Sequence, residues 1–509
     1  MTLSNLQNKL SQHGQQHLLK FWDKLSDDEK VTFEKELQSI DYGYVSNIHK
    51  NAVHQLKQDQ EKKDELMQAL PDNVFARLSE TKEEKLQAWY NEGLKQVSDG
   101  RVAVLLLAGG QGTRLGVSYP KGMYDVGLPS QKTLYQLQAE RILKLQELAA
   151  KRHGRHGFIT WYIMTSEATK GCTQEYFSKH SYFGLSKENV IFFEQHTLPC
   201  MTLEGKIILD NYGKIAKAPD GNGGLYKALK SEQIIRDMEK RHVHSIHVYC
   251  VDNILVKMAD PVFIGFCSSK GAKCGAKVVE KTDPNEAVGV VCKCDGKYQV
   301  VEYSEISTST AEKRTKDGHL VFNAGNICNH YFTLDFLKIV VNDYSESLPH
   351  HVAKKKIAYV NDNGERIKPD TPSGIKMEKF VFDVFQYTEE FAVLEVERED
   401  EFSPLKNAPG AGSSCPETAR QDLINSHFRW IANAGGEFFS PDGSVYKAEQ
   451  RDSPVVCEVS PLLSYDGEGL EELVNDKKFP VNEVLYLHTS DVNANGTAFE
   501  PQSKKQKED

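Results

Sequence analysis

Nowhere does this chain approach the roughly 18 consecutive apolar residues that a bilayer span requires. Its first residues, MTLSNLQNKLSQHGQQ, lack the apolar segment of a secretory leader, so the expectation is a cytoplasmic protein without a membrane partner. On that expectation the Asn495-Gly-Thr497 sequon carries no glycan. Metal-type cysteine spacing is also missing. The ten cysteines are scattered, and the closest pair, Cys292 and Cys294, matches neither a redox nor a zinc motif. An excess of positive charge is absent too: the net charge of −10 argues against a nucleic-acid partner, yet permits a local basic pocket. There is no G-x-S-x-G elbow and no H-E-x-x-H pair, which removes the chemistries those motifs carry. His242, His244 and His247 cluster, but alternation along a strand accounts for them without a metal.

What is present is a globular composition, 39% apolar and 26% charged, in a chain of 509 residues, where a prior of about 150 residues per domain predicts two to four. The most informative stretch is VAVLLLAGGQGTRLG. Val102–Leu107 is an unbroken apolar run ended by glycines, which predicts a strand buried on both faces. Gly109, Gly110 and Gly112 clear side chains from the backbone. Glycine also accepts positive φ, so the expectation is that successive N–H groups turn inward on an anion. Arg114 adds a permanent planar cation and Lys121 a second one. The P-loop is excluded because no Gly-Lys-Ser/Thr follows, and the dinucleotide fingerprint because Leu115 holds its third glycine position. A polyphosphate is the simplest ligand for this loop.

The first 100 residues read as a helical region. Leu18, Trp22 and Leu25 share one helical face, as do Phe33, Leu37 and Ile40, and Ser26-Asp-Asp-Glu29 is a capping box. Charged helices continue through QLKQDQEKKDELMQAL and ETKEEKLQAWYNEGL. Residues 101–400 alternate short apolar runs with helical stretches, as in a doubly wound α/β sheet. Residues 401–509 begin with the Gly/Pro/Ser-rich NAPGAGSSCPET, carry short strands and end in the charged SKKQKED tail.

Further chemistry concentrates in five places. Gly221, Asn222, Gly223 and Gly224 precede a helix, where backbone amides can face a ligand and the Asn222 amide suits a sugar hydroxyl; a plain surface turn is the other reading. Asp252 ends the run SIHVYCVDN, where one carboxylate suits Mg²⁺ shared with substrate phosphates, or else merely makes a turn. Glu302, Tyr303, Asn323 and Asn326 offer sugar-binding groups. Phe380 and Phe382 alternate onto one face of a strand, as an apolar wall or as core. Lys406 follows a Ser-Pro turn and is a further cation for phosphate. Cations, a divalent metal and positioning suffice for phosphoryl-type transfer.

LLLAGGQGTRLG followed by YPKGM resembles the nucleotidyltransferase loop of sugar-nucleotide pyrophosphorylases. APDGNGGLY, YCVDNIL, GAKVVEK, VVEYSEIS, NAGNICNH, GIKMEKFVFDVF and EFSPLKNA are similar to blocks of the eukaryotic UDP-N-acetylhexosamine pyrophosphorylases. The resemblance implies a Rossmann-like nucleotidyltransferase domain with a mixed, mostly parallel sheet, an N-terminal helical region and a small C-terminal β-rich domain. It implies UTP and N-acetylglucosamine 1-phosphate as substrates, with UDP-GlcNAc, and UDP-GalNAc besides, and pyrophosphate as products. By motif, Leu107, Ala108, Gly109, Gly110 and Gly112 hold the nucleotide, and Gln195 with backbone at Gly221 reads the uracil. Asn222, Gly289, Glu302, Tyr303, Asn326, Phe380 and Phe382 hold the sugar. Arg114, Lys121 and Lys406 neutralise phosphate, and Asp252 takes Mg²⁺, or Mn²⁺ in its place. The expected assembly is a monomer or homodimer. The competing expectations are a UTP–glucose-1-phosphate uridylyltransferase and a nucleotide-sugar-binding protein without catalysis.

Overall fold

The computed structural model describes residues 3–55, 64–447, 454–491 and 503–505. The Asn495-Gly-Thr497 sequon, residues 56–63 of the charged stretch and the last four residues of the tail lie outside the described residues.

Eleven strands form one sheet: β1 (Met67–Gln68), β2 (Phe75–Arg77), β3 (Val102–Leu107), β4 (Thr160–Thr165), β5 (Val190–Glu194), β6 (Ser245–Cys250), β7 (Cys274–Glu280), β8 (Val290–Cys294), β9 (Lys297–Val301), β10 (Ala324–Thr333) and β11 (Phe391–Val396). Along the order β2-β11-β7-β10-β6-β3-β4-β5, neighbours run parallel except on either side of β10. β8 pairs with β1, β9 and β10. The sheet is therefore the mixed, mostly parallel one expected.

Every residue of β3 and β4 is buried. Strands covered on both faces can be uniformly apolar, which is why VAVLLL shows no alternation. The helix Leu134–His153 starts at the Thr133 cap and buries Leu134, Leu137, Ile142 and Leu145. It ends on Gly154, whose φ of +72° lets the chain turn back. Asp295 and Gly296, both at positive φ, close the two-residue β8–β9 hairpin.

The chain fills one side of β3 with β4 and β5, then crosses to its other side with β6. Ligands of open α/β sheets bind outside the carboxyl ends of strands at such a reversal. Cys250 of β6 pairs with Leu107 of β3. Both strands thus end level, and the glycine loop and the Asp252 turn leave the sheet side by side.

Two compact units emerge, built from interleaved segments. One comprises residues 67–194, 233–338 and 388–509 and holds the sheet. It also contains a C-terminal core in which Leu423, Ile424 and Phe428 of the helix Pro416–Asn433 share a cluster with Cys457, Val459, Leu485 and Leu487 of short strands. The other comprises residues 1–66, 195–232 and 339–387. In it the helices Leu3–Gln12, Asp27–Gln38 and Tyr42–Gln55 bury Leu6, Leu10, Phe33 and Leu37 with Met201, Ile207, Ile375 and Met377. The Ser26/Glu29 capping box forms as expected, with the Glu29 carboxylate accepting from the Ser26 N–H at 2.8 Å. Leu18, Trp22 and Leu25, by contrast, fall on or beside two 3₁₀ turns rather than on one helix. Nor is the stretch 1–100 helical throughout: β2 joins the sheet parallel to β11, and three residues are too few to show a strand period.

Candidate active site

The glycine loop folds back on the segment that follows it. The Gly112 N–H donates to Tyr119 O at 3.0 Å, and the Lys121 N–H to Gly110 O at 3.4 Å. A Cβ on Gly112 would sit 2.3 Å from Val117 Cγ2, so this glycine is demanded by the loop's own packing. Gly110 differs, because a Cβ there would meet nothing within 4 Å. The N–H groups of Gly109 and Gly110 have no acceptor among the described residues, while the Gly109 carbonyl is held by Ser166 Oγ at 2.9 Å. The amides are left open without positive φ at Gly109, Gly110 or Gly112; that conformation falls at Gly116, which ends the 3₁₀ turn Gly112–Leu115. The amides of Gly109 and Gly110 remain for an anion, while that of Gly112 is bonded within the loop. Leu107 and Ala108, buried, anchor the start of the loop.

Arg114 projects from that 3₁₀ turn, exposed and without an ion-pair partner among the described residues. Lys121 is half-buried, and its Nζ donates to Leu405 O at 3.0 Å. Asp252 is half-buried two residues past β6, and its carbonyl accepts from the Leu405 N–H at 2.8 Å. Next to it, buried Asn253 stitches the two segments together. Its Nδ2 donates to Glu401 O at 2.7 Å and its Oδ1 accepts from the Ser403 N–H at 3.0 Å. Residues 401–406 are thereby fixed along the Asp252 turn, which brings exposed Lys406 to this end of the sheet. Sequence reasoning missed Asn253, although YCVDN places an amide directly after the carboxylate.

The groups expected at the sugar gather in the same unit. The Asn326 N–H donates to Gly289 O at 2.8 Å. A Cβ on Gly289 would come to 3.0 Å from Glu302 Oε1 and from Val300 Cγ1, so a side chain there would crowd that carboxylate. Asn326 Oδ1 faces His330 Nε2 at 3.1 Å. Tyr303 is 50% exposed. The Asn323 carbonyl accepts from the Gly325 N–H at 2.8 Å, and its Nδ2 lies 3.5 Å from Glu280 Oε1.

Gln195, Gly221, Asn222, Phe380 and Phe382 lie in the other unit. Gly221 has φ +87°, and a Cβ there would meet Lys379 O at 2.3 Å. Asn222 Oδ1 accepts from the Val381 N–H at 3.0 Å, so this amide oxygen braces the turn. Phe380 and Phe382 do pack together, with ring centroids 5.1 Å apart. The strand expected to carry them ends at Glu378, and Phe382 belongs to the 3₁₀ helix Val381–Tyr387. The Asp383 carboxylate accepts from the Phe380 N–H at 2.8 Å and starts that helix. Gln195 is buried.

Two charged groups here escaped the sequence reading. Asp220 is buried beneath the glycine turn, its Oδ1 without a partner, and burial pushes its carboxyl up to about 7. Burial pulls the Lys379 ammonium down, and its Nζ donates to Ser345 O at 2.7 Å. Both letters occur in the glycine-rich and aromatic stretches already quoted, but nothing local marks either as buried.

His247 is buried, accepts from the Ala259 N–H at 2.8 Å and bonds Asn329. Burial lowers it to about 4 and His330 to about 3. No group of three or more potential metal-ligating side chains occurs among the described residues. Asp252 alone is nevertheless a suitable donor for Mg²⁺, an ion that needs only one or two protein carboxylates beside phosphate and water.

Open amides, three cations and one carboxylate thus gather at the reversal of a mostly parallel sheet, in an α/β fold of the nucleotidyltransferase type. Residues 44–412 match the UTP–glucose-1-phosphate uridylyltransferase family (UDPGP), and the chain belongs to that family. It is 51% identical, over 92% of its length and 94% of the relative's, to UDP-N-acetylhexosamine pyrophosphorylase-like protein 1 of Homo sapiens. It is 44% identical to the UDP-N-acetylglucosamine pyrophosphorylase of Saccharomyces cerevisiae, over 79% of this chain and 82% of that one. Among solved structures it is similar to the uridine diphosphate N-acetylglucosamine pyrophosphorylase of Trypanosoma brucei, in complex with inhibitor. There the TM-score is 0.78 at 30% identity, covering 91% of this chain and 93% of that one.

Proposed function

We propose that this chain makes UDP-N-acetylglucosamine and pyrophosphate from UTP and N-acetylglucosamine 1-phosphate. The observation that carries the reading is the level ending of β3 and β6, which sets the open Gly109 and Gly110 amides beside the Asp252 turn. An oxygen of the sugar phosphate attacks the α-phosphorus of UTP in line. The new P–O bond forms as the bond to the β-phosphate oxygen breaks, with no covalent enzyme intermediate. Arg114, Lys121 and Lys406 balance charge on the triphosphate and on departing pyrophosphate. Leu107 and Ala108 set the loop whose amides at Gly109 and Gly110 bind phosphate. Gly112 keeps that loop closed. Asp252 would hold Mg²⁺ (or Mn²⁺), which when bound supplies charge neutralisation to the phosphates. Glu302, Tyr303 and Asn326, with room left by Gly289, orient the N-acetyl sugar. For Gln195 and Gly221 the proposed role is the uracil, and for Asn222, Phe380 and Phe382 the sugar.

The relatives' names favour the N-acetylhexosamine over glucose. Pyrophosphate release from UTP and Mg²⁺ with each sugar 1-phosphate in turn tests this. Faster release with N-acetylglucosamine 1-phosphate is expected. Preference for glucose 1-phosphate would move the chain to the glucose enzyme, and release with neither would leave a binding protein. A cytoplasmic enzyme, monomeric or homodimeric, is part of the proposal; among the described residues no helix is long and apolar enough to cross a membrane.

A further inference from the structure

Cys250 is the last residue of β6, and Cys328 lies on β10, one step beyond the Tyr249–Asn329 pair that ends their antiparallel ladder. On its other side β10 faces β7 through Lys277–Asn329 and then Val278–Asn326, so Ile327 and Cys328 are extra residues in a bulge. Bulges re-aim side chains. Here Cys328 takes φ +52°, a conformation uncommon for any residue but glycine, and its sulfur comes to 3.2 Å from that of Cys250. Both cysteines are half-buried, whereas Cys267, Cys274, Cys292 and Cys294 are buried.

We propose that Cys250 and Cys328 form a site of reversible oxidation, in which a hydroperoxide closes a cross-strand disulfide that slows uridylyl transfer. The consequence for transfer rests on the functional reading above. With hydrogen peroxide, Cys328 becomes a sulfenic acid and one water leaves. The Cys250 sulfur then attacks the sulfenic sulfur, the S–S bond forms and a second water departs. Two thiols have lost two electrons and two protons, and the peroxide has become two waters. A dithiol reductant reverses the step by exchange.

A disulfide requires its sulfurs at about 2.05 Å, so the two sulfurs must draw together by roughly 1 Å from their 3.2 Å separation. Asp252 lies two residues after Cys250, and Asn326 two residues before Cys328, whose N–H donates to Asn326 Oδ1 at 3.2 Å. The closure therefore pulls on the proposed metal carboxylate and on a proposed sugar residue together. A misplacement of about 1 Å can cost on the order of 10²-fold in rate.

The test treats the reduced full chain with hydrogen peroxide, then maps alkylated peptides and assays transfer in parallel. Expected are a peptide pair linked through Cys250 and Cys328, a fall in turnover between about tenfold and 10²-fold, and full return with dithiothreitol. Cys328→Ala and Cys250→Ser should both keep their activity through the same treatment. Absence of the linked pair, a linked pair with unchanged turnover, or an equal loss in both variants overturns the proposal. A reduced chain that makes no UDP-sugar counts against the functional reading instead, and the linked peptide still decides whether this pair oxidises.

Discussion

Replacing Gly110 by alanine separates a glycine kept for a ligand from one kept for the fold. A Cβ at Gly110 meets no atom within 4 Å, and its φ lies outside the left-handed region. Alanine therefore fits the unliganded backbone, and stability should hold or rise by about 0.4–1 kcal/mol through a less flexible unfolded chain. With UTP bound the methyl group would stand where a phosphate approaches the backbone. Overpacking typically costs about 1–3 kcal/mol, so KM for UTP should rise roughly 5-fold to 150-fold. Gly112→Ala should do the reverse. Its Cβ would lie 2.3 Å from Val117 Cγ2 and 3.0 Å from Tyr119 O, so the loop must give way and the melting temperature should fall. Thermal melts and UTP titrations of the two variants, run side by side, read both quantities. A Gly110→Ala enzyme with unchanged melting and unchanged KM for UTP would take the open amide out of the phosphate site and refute the reasoning.

Arg114→Ala should lower kcat by roughly 10²–10³, as loss of one preorganised charge donor does; since Arg114 is exposed and has no ion pair among the described residues, the melting temperature should not move. Unchanged turnover would remove it from catalysis. Lys277, fully buried, bridges Asp260 at 2.6 Å and Glu401 at 2.5 Å. Lys277→Met should cost about 3–5 kcal/mol in urea unfolding, because two buried carboxylates lose their shared cation, and the loss should shrink as pH falls, because burial without that cation favours their protonated forms. The Asp220 carboxyl, raised by burial from an ordinary 3.8 to about 7, holds its proton more tightly folded than unfolded. Its stabilising share is complete below about 3.8 and is lost as pH rises through 7, by up to about 4 kcal/mol. Melting temperature should thus fall less between pH 5 and 8 for Asp220→Asn than for the parent chain; equal slopes would contradict the burial argument.

Legibility in the letters followed the range of the forces involved. The run VAVLLL and the Ser26/Glu29 box were readable because each is decided within a few residues, by burial on both faces and by a local hydrogen-bond exchange. Phe380 and Phe382 misled because KFVFDVF supports two periods at once. Alternate positions suit a strand, yet Val381, Phe382, Val384 and Phe385 are the buried residues of a 3₁₀ helix, and the Asp383 cap decides between them. The glycine loop was readable in composition but not in conformation. Which N–H groups stay open depends on the return segment at Tyr119 and Lys121, and no spacing rule encodes that contact.

Lys406 shows the same limit at the level of chemistry. Alone in EFSPLKNA it is an exposed lysine like many others. It joins the candidate site through Asn253, whose amide holds the backbone at Glu401 and Ser403, and through Leu405, whose N–H bonds Asp252 O while its carbonyl accepts from Lys121. One residue thus links the carboxylate turn to both lysines through its main chain. The cations of such a site are positioned by backbone bonds between segments some 150 or 280 residues apart in the chain, so their grouping follows from strand register and becomes visible only when β3 and β6 are laid side by side.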